Sequence, residues 1–267
     1  MSKNKKKNKP SKGMKKYSNS IPKPKQHNTK TLYKKLNDIY NSVNLETTCK
    51  GRTECCKVAM PQMNNCEFTQ IINNIWNNRS KGEKIALVCK SIEYFFKNEF
   101  EKFGTETLIK PCMLLGEDGL CSEYDGRPLS CRLYGLWPYE TYKARVDKFA
   151  KAFEGLLERD ELPLHTQCPF VNRVDDSDPL TDEVINGLFS KLDQLDIAIG
   201  DFTEAQVSQK ENYRTFHDWL LLKVFGEERL SALTSFMIAA DKKLLNEQID
   251  ALSEVIKSKF SKDMPSI

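Results

Sequence analysis

The stretch PCMLLGEDGLCSEYDGRPLSCR, residues 111–132, decides how this chain is organised. It places Cys112, Cys121 and Cys131 in a segment whose short apolar pieces are separated by turn residues. Thiolate sulfur is a preferred ligand of zinc, Cu(I) and iron–sulfur clusters, and several thiolates are needed to hold any of them. The segment therefore points to metal chemistry in a small irregular core.

Turn residues divide this segment into two predicted structures. Gly116-Glu117-Asp118-Gly119 predicts a hairpin turn between residues 112–115 and 120–124. The next turn, Asp125-Gly126-Arg127-Pro128, places Pro128 at the beginning of a short helix, because proline is favoured at the first helical position. We therefore expect a short β-hairpin followed by a short helix.

The cysteines are concentrated in the first half of the chain. Eight of them lie between residues 49 and 131, and the full set is Cys49, Cys55, Cys56, Cys66, Cys89, Cys112, Cys121, Cys131 and Cys168. The N-terminus lacks the apolar region of a secretory signal, so we expect a reducing, cytoplasmic location. Clustered thiols there hold metal or do redox work more often than they form disulfides, and an odd number does not pair completely.

The spacing of the cysteines excludes two common metal sites. The chain has neither the paired C-x2-C knuckles of a zinc ribbon nor the C-x2-C-x2-C run of a bacterial ferredoxin. Cys55 and Cys56 are adjacent, and in an extended segment their side chains would point to opposite sides. Two such cysteines could bind two different metal centres. Alternatively, one of them is a ligand and the other lies beside the metal without binding it. The thiols are enough for two four-ligand sites or for one iron–sulfur cluster.

Three pieces of the chain resemble a known family. Residues 111–115, 119–124 and 127–132 resemble the pattern C-x-x-L … G-x-C-x-x-Y-x-x-R-P-x-x-C-R. That pattern belongs to cysteine-cluster proteins of the YkgJ type, which are described as a zinc- or iron-chelating domain. The resemblance covers about residues 45–172 of this chain.

Cysteines outside the main motif extend the resemblance. Cys49 with Cys55 and Cys56 is similar to the family's opening cysteine group, and Cys168 is similar to its closing cysteine. The opening group departs from the pattern, because five residues separate Cys49 from Cys55 and one expected cysteine is missing. Cys66 is a candidate replacement for the missing thiol, or is incidental.

The resemblance implies metal binding through cysteine thiolates. The implied ligands are Cys49, Cys55, Cys56, Cys112, Cys121, Cys131 and Cys168, and His165 is a further candidate. An iron–sulfur cluster is favoured over zinc, because the ligands are widely spread and because some members resemble flagellin lysine N-methylases, which are associated with such a cluster. Two alternatives stay open: an iron–sulfur-dependent enzyme that modifies a protein side chain, as those methylases do, and a zinc-stapled interaction module.

Outside the cysteine motif the sequence has helical periodicity. Apolar residues recur at helical spacing in 31–46, 67–78, 85–103 and 140–158, and in three stripes after Cys168. We predict a mainly α protein with helices around a small irregular cysteine-rich metal-binding core that contains a short β-hairpin. Its parts are a disordered tail at 1–30, a cysteine-cluster domain at 31–172 and a helical C-terminal region at 173–267, either separate or part of the same domain.

The net charge of +4 is the sum of a strongly basic N-terminal part and an acidic remainder of the chain. Residues 1–30 hold 11 Lys with no Arg and no acidic residue, so residues 31–267 carry 30 basic and 37 acidic residues, a net charge of −7. A tail of this composition is predicted to be disordered. It is a solubilising extension, or an electrostatic arm for an acidic partner or a nucleic acid. No stretch approaches the ~18 consecutive apolar residues of a membrane span.

Several other side chains are predicted to be structural. Arg127 and Arg132 could neutralise thiolates or bind an anion, but a structural role is favoured, which for Arg127 is the bridging of turn carbonyls, and Tyr124 is expected to pack. Cys89 lies on an apolar helix face and is expected in the core. His217 is expected to be an ordinary hydrogen-bonded residue.

Overall fold

The computed structural model describes residues 29–45, 54–57, 60–100, 111–152, 180–239, 244–265 and 267. Most of the lysine-rich tail lies outside these ranges, as do Cys49, His165 and Cys168. The described part of the chain is mainly α-helical, which confirms the predicted fold class at that level. The metal-binding core in that prediction stays a prediction.

Helices make up most of the described elements. They are α1 (Thr29–Tyr40), α2 (Asn65–Asn78), α3 (Lys81–Phe100), α4 (Leu129–Arg132), α5 (Tyr139–Ala152), α6 (Asp182–Ala198), α7 (Glu204–Ser208), α8 (Phe216–Phe225), α9 (Glu227–Ala239) and α10 (Leu245–Lys262). A 3-10 turn covers Glu54–Lys57, and the strands are β1 (Gln62–Asn64) and β2 (Tyr213–Thr215). Helices α1, α2, α3, α5, α6, α8 and α10 lie where the apolar spacing predicts them. The sheet, α7 and α9 have no counterpart in the prediction.

The start of α3 follows its sequence signature. The Ser80 backbone N–H donates to the Glu83 carboxylate at 2.8 Å, and the Glu83 N–H donates to the Ser80 hydroxyl at 3.3 Å. This reciprocal pair is the capping box that the Ser80 and Glu83 spacing predicts. Among the described helices, none is both long and apolar enough to cross a membrane.

The two strands form a small antiparallel sheet that joins distant parts of the chain. Gln62 pairs with Thr215 and Asn64 pairs with Tyr213. Each strand leads directly into a helix, β1 into α2 and β2 into α8. At the second junction the Thr215 hydroxyl accepts a hydrogen bond from the backbone N–H of Asp218, which caps α8. The sheet therefore sets the starting points of α2 and α8 relative to each other.

The predicted hairpin at residues 112–124 is only partly formed. The chain reverses at the predicted turn, where Gly119 has a φ of +77°, but the paired part is a single bridge between Leu115 and Cys121. The backbone explains the short pairing: the Leu115 N–H donates to the Cys112 carbonyl at 3.0 Å, and the Cys112 N–H donates to the Cys56 carbonyl at 2.5 Å. These bonds use groups that a longer ladder would need.

Two clusters of buried apolar side chains form the core. The larger cluster joins α2, α3, α8 and α10, with Phe68 and Trp219 among its fully buried side chains. The smaller cluster joins α1, α4 and α6 and includes Leu36, Leu133 and Leu188. Both clusters combine side chains from before and after the predicted boundary near residue 172, so the C-terminal helices complete the cores of the earlier ones.

Candidate metal centre

Three separate segments carry five thiols whose charges influence one another's pKa values. Cys55 and Cys56 lie on the 3-10 turn, Cys112 and Cys121 lie on the partly formed hairpin, and Cys131 lies on α4. The bond from the Cys112 N–H to the Cys56 carbonyl joins the first two segments. These five thiols, which we call the thiol cluster, are five of the seven ligands that the resemblance implies.

Cys55 and Cys56, the adjacent pair on the 3-10 turn, differ in how readily their thiols ionise. The sulfur atoms of Cys55 and Cys56 are 4.0 Å apart. A hydrogen bond from the Cys56 thiol lowers the pKa of Cys55 to about 7, and the same bond, with burial, raises the pKa of Cys56. Cys55 is therefore the thiol of this pair that ionises first, and a thiolate is the form that binds metal.

The other three thiols are held in their neutral form by burial. Burial raises the pKa of Cys112 to about 11, and it also raises the pKa values of Cys121 and Cys131. Charge on Cys112, Cys55 and Cys121 raises the pKa of Cys131 further. These mutual effects mean that the five sulfur atoms lie within electrostatic reach of one another. Ionising several of them together is costly without a cation.

Arg127 places a positive charge beside the thiol cluster. Its Nε donates to the Tyr124 carbonyl at 2.9 Å, and its guanidinium carbon lies 3.6 Å from the centre of the Tyr124 ring. The Arg127 charge lowers the pKa values of Cys55, Cys121 and Cys131. The favoured prediction, that this side chain binds a turn carbonyl, is confirmed, and the residue partly offsets thiolate charge as well.

Arg132 is also a structural residue. Its Nε donates to the Arg127 carbonyl at 2.8 Å, and its Nη2 donates to the Asp125 carbonyl at 2.6 Å. The guanidinium lies over the Tyr40 ring, 4.4 Å from its centre. These contacts join the turn before α4 to helix α1, and they are structural, in agreement with the role favoured for Arg132.

The donors suit a thiophilic metal, but the described residues do not form a closed ligand set. Thiolate sulfur matches zinc and iron–sulfur clusters. Among the residues that the structure describes, however, no three His, Cys, Asp or Glu side chains are arranged to hold a metal ion. Two further predicted ligands, Cys49 and Cys168, lie outside the described residues. The fit is therefore one of donor chemistry and proximity.

Other candidate residues lie away from the thiol cluster. Cys66 is fully buried in the smaller core cluster, with its sulfur 3.9 Å from the Leu192 carbonyl oxygen. Cys89 packs against the larger core cluster, as predicted, and its thiol faces the Ser253 carbonyl at 3.8 Å. His217 is buried and lies within hydrogen-bonding distance of the Thr215 hydroxyl. Cys66 is thus placed as a core residue rather than as the missing ligand.

A buried polar network was not found by sequence reasoning. Asp196 accepts hydrogen bonds from the Cys66 backbone N–H at 2.7 Å and from the side-chain amides of Asn64 and Asn212 at 3.2 and 2.9 Å. Glu67 is also buried, and it accepts from the Asn64 backbone N–H at 3.0 Å. A capping-box spacing, Asn64 followed three residues later by Glu67, is the signal that could have revealed Glu67.

The buried carboxyls predict a dependence of stability on pH. Burial raises the pKa of Glu67 to about 7 and that of Asp196 to about 6. Since a raised pKa means that the folded chain holds protons that the unfolded chain has released, the free energy of unfolding should fall as pH rises from about 4 to about 7. The Glu67 contribution is on the order of 3 kcal/mol. Denaturant unfolding at several pH values measures it.

Two variants test whether Glu67 and Asp196 cause this fall in unfolding free energy, as distinct from the other titrating groups of the chain. Glu67→Gln and Asp196→Asn should each flatten the fall in unfolding free energy between pH 4 and pH 7, because each removes one of the protons concerned. Phe236→Ala, at an exposed position on α9, removes no titratable group, so it is the control and should leave the slope unchanged. Equal slopes in all three variants and the unmodified chain would contradict the assignment.

Comparison with known proteins adds no relative. No protein-family model, no curated protein and no solved structure matches this chain. The resemblance to the YkgJ-type cysteine-cluster family thus rests on the motif residues between 111 and 132 and on the cysteines around them.

Proposed function

We propose that this chain binds a metal centre through cysteine thiolates, and that the centre is an iron–sulfur cluster rather than zinc. The observation that carries the proposal is the thiol cluster: Cys55 and Cys56 are far in sequence from Cys112, Cys121 and Cys131, yet the five thiols influence one another's ionisation.

The electrostatics of the thiol cluster support a cationic occupant. Burial disfavours the thiolate forms of Cys112, Cys121 and Cys131, and this cost is only partly offset by Arg127 at Cys121 and Cys131 and by Lys90 at Cys112. A bound metal would provide the missing positive charge, and binding would release protons from the thiols. In this proposal Cys49 and Cys168 complete the ligand set, and the segments adjust around the metal, since the described thiols do not form a closed set.

The preference for an iron–sulfur cluster over zinc has two supports. The proposed ligands extend from Cys49 to Cys168 and lack the paired knuckles of structural zinc sites. The family resemblance, with its link to lysine N-methylases, points in the same direction. A bound cluster would supply electron-transfer or Lewis-acid chemistry, and this chain's own residues would hold it and shield it from water.

Anaerobic purification followed by metal and sulfide analysis tests the proposal. We expect iron and acid-labile sulfide in comparable amounts, with broad absorption near ~400 nm that bleaches on reduction. Stoichiometric zinc without colour would overturn the iron–sulfur assignment and leave thiolate binding in place. Absence of both metals from anaerobically prepared and reconstituted protein would overturn the proposed function.

A second measurement separates a structural centre from a reaction centre. If the metal only stabilises the folded structure, its removal by a chelator should unfold the protein, as it does for structural zinc sites. If the metal is the centre of an enzyme similar to the methylases, its spectrum should change when S-adenosylmethionine or a lysine-containing peptide is added. The two outcomes distinguish the interaction module from the side-chain-modifying enzyme.

A further inference from the structure

Glu67 is a buried carboxylate that binds three different elements. Its side chain lies in the first turn of α2 and is 1% exposed. One oxygen accepts from the Tyr40 hydroxyl at 2.8 Å and from the Leu129 backbone N–H at 2.6 Å. The other oxygen accepts from the Asn64 backbone N–H at 3.0 Å. The carboxylate thus connects α1, the β1–α2 junction and the first residue of α4.

Helix α4 depends on such outside contacts. It has four residues, Leu129–Arg132, and helices of that length are not stable by themselves. Its first N–H groups have no partner within the helix, and Glu67 satisfies that of Leu129. A second bond, from the Ser130 hydroxyl to the Gln62 carbonyl at 2.7 Å, ties the same turn to β1. The orientation of α4 is therefore set by the β1–α2 junction.

Cys131 lies on this turn. Leu129 is two residues before it, and the Cys131 N–H bonds within the same turn, to the Pro128 carbonyl at 2.9 Å. A shift of α4 would therefore move the Cys131 sulfur relative to Cys55, Cys112 and Cys121, which come from other segments. The contact between Glu67 and Leu129 therefore gives Glu67 a route to the thiol cluster through α4.

Besides its hydrogen-bond donors, Glu67 has several titratable groups around its carboxylate. The groups that face it are Tyr40 on α1, Cys66 on its own helix, Asp196 on α6 and Arg132 on α4. Arg132 is the only cation among these four groups. Its guanidinium lies over the ring of Tyr40, the residue whose hydroxyl donates to Glu67. The carboxylate thus lies where the turn of α4 meets helix α1.

We propose that Glu67 is a positioning residue that fixes the α4 turn and thereby holds the Cys131 thiol in the thiol cluster. The link to metal rests on the proposed function, whereas the link to the position of Cys131 does not. Removing the carboxylate should release α4 and expose Cys131. Keeping one acceptor oxygen should preserve the arrangement, because that oxygen can still accept from Leu129 and Tyr40.

Alkylation of the reduced, metal-free protein tests the position of Cys131. The rate of reaction with N-ethylmaleimide is followed residue by residue by mass spectrometry, with Cys89 as the internal reference. In Glu67→Ala the Cys131 rate should rise about tenfold, equivalent to about 1.4 kcal/mol in the free energy of opening. In Glu67→Gln it should stay near that of the unmodified chain. Asp196→Ala is the matched control, because it removes a carboxylate of the same buried network that does not contact α4.

Each outcome decides the proposal. An unchanged Cys131 rate in Glu67→Ala, or an equal rise in Asp196→Ala, would overturn it, because the effect would then be absent or a general loosening. If Glu67→Ala does not fold, Glu67→Asp replaces it, since its carboxylate is one methylene too short for all three partners, and the same rate increase relative to Asp196→Ala is required.

Metal content provides the second readout. In the metal-loaded protein, Glu67→Ala should lose metal to a chelator faster than Glu67→Gln and Asp196→Ala do. Equal loss from all three folded variants would overturn the link between Glu67 and the metal. If the unmodified chain binds no metal, the proposed function fails, and the alkylation rates alone decide whether Glu67 positions Cys131.

Discussion

Replacing Cys131 by serine should remove metal from the protein. The substitution keeps the size of the side chain but exchanges a thiol for a hydroxyl, which does not ionise near neutral pH and is a poor ligand for zinc or an iron–sulfur cluster. Affinity should fall by at least ~100-fold, since even residues that only orient a ligand cost ~10–100-fold. Cys121→Ser should behave in the same way. Metal analysis and the visible spectrum of anaerobically purified variants measure the loss.

The control for this experiment is another cysteine with the same chemistry and a different position. Cys89 packs between α3 and α10, where its thiol faces the Ser253 carbonyl. Cys89→Ser should therefore retain metal. Equal metal loss in Cys89→Ser, Cys121→Ser and Cys131→Ser would mean that metal content follows general stability, and the ligand assignment would be wrong.

Trp219→Ala should be among the most destabilising single substitutions in the described part of the chain. The Trp219 side chain is 1% exposed, its ring lies 6.1 Å from that of Phe68, and its Nε1 donates to the Met63 carbonyl at 3.0 Å. Truncation creates a cavity and removes this hydrogen bond, so the free energy of unfolding should fall by about 3–5 kcal/mol. Denaturant unfolding measures the change.

Two further variants separate packing from hydrogen bonding at this position. Trp219→Phe keeps an aromatic ring and loses the donor to Met63, so its cost should be clearly smaller than that of alanine. Phe236→Ala removes an aromatic side chain that is 63% exposed on α9 and should change the unfolding free energy by less than about 0.5 kcal/mol. Similar losses in Trp219→Ala and Phe236→Ala would contradict the placement of the core.

Helix positions were readable from the sequence because their apolar faces are local patterns. The spacing of Leu32, Leu36 and Tyr40 predicts α1, and all three side chains are buried. Ser80 and Glu83 mark the start of α3 through bonds between residues three apart. A helix satisfies its backbone internally, so its existence requires little information from the rest of the chain.

The sheet and the hairpin illustrate the opposite case. Strand β1 covers three residues and forms only because β2, far along the chain, lies beside it. In the hairpin segment, Cys112 gives its N–H to the Cys56 carbonyl, a partner that no local pattern reveals. Short strands carry too few residues for alternation to be recognised, and their hydrogen bonds are all made to other segments.

The cysteines show how far the candidate site could be predicted. Their number and motif indicate a thiol-based site that includes Cys131, but they leave open whether Cys66 replaces the missing thiol. The structure places Cys66 in the smaller core cluster, beside the Leu192 carbonyl, and Cys131 among the other thiols. Glu67 has no chemical signature beyond a capping spacing, because its role comes from contacts with α1 and α4.

The sequence by itself determined most of the helices, though not α7 and α9, together with the cysteine motif and the contrast between a lysine-rich tail and an acidic body, because these depend on residue type and short-range spacing. Only the tertiary structure decided which thiols lie together, and which buried carboxylate holds the turn that carries Cys131. Such proximity depends on how α1, α2, α4 and the small sheet pack, and packing is a property of many side chains acting at once.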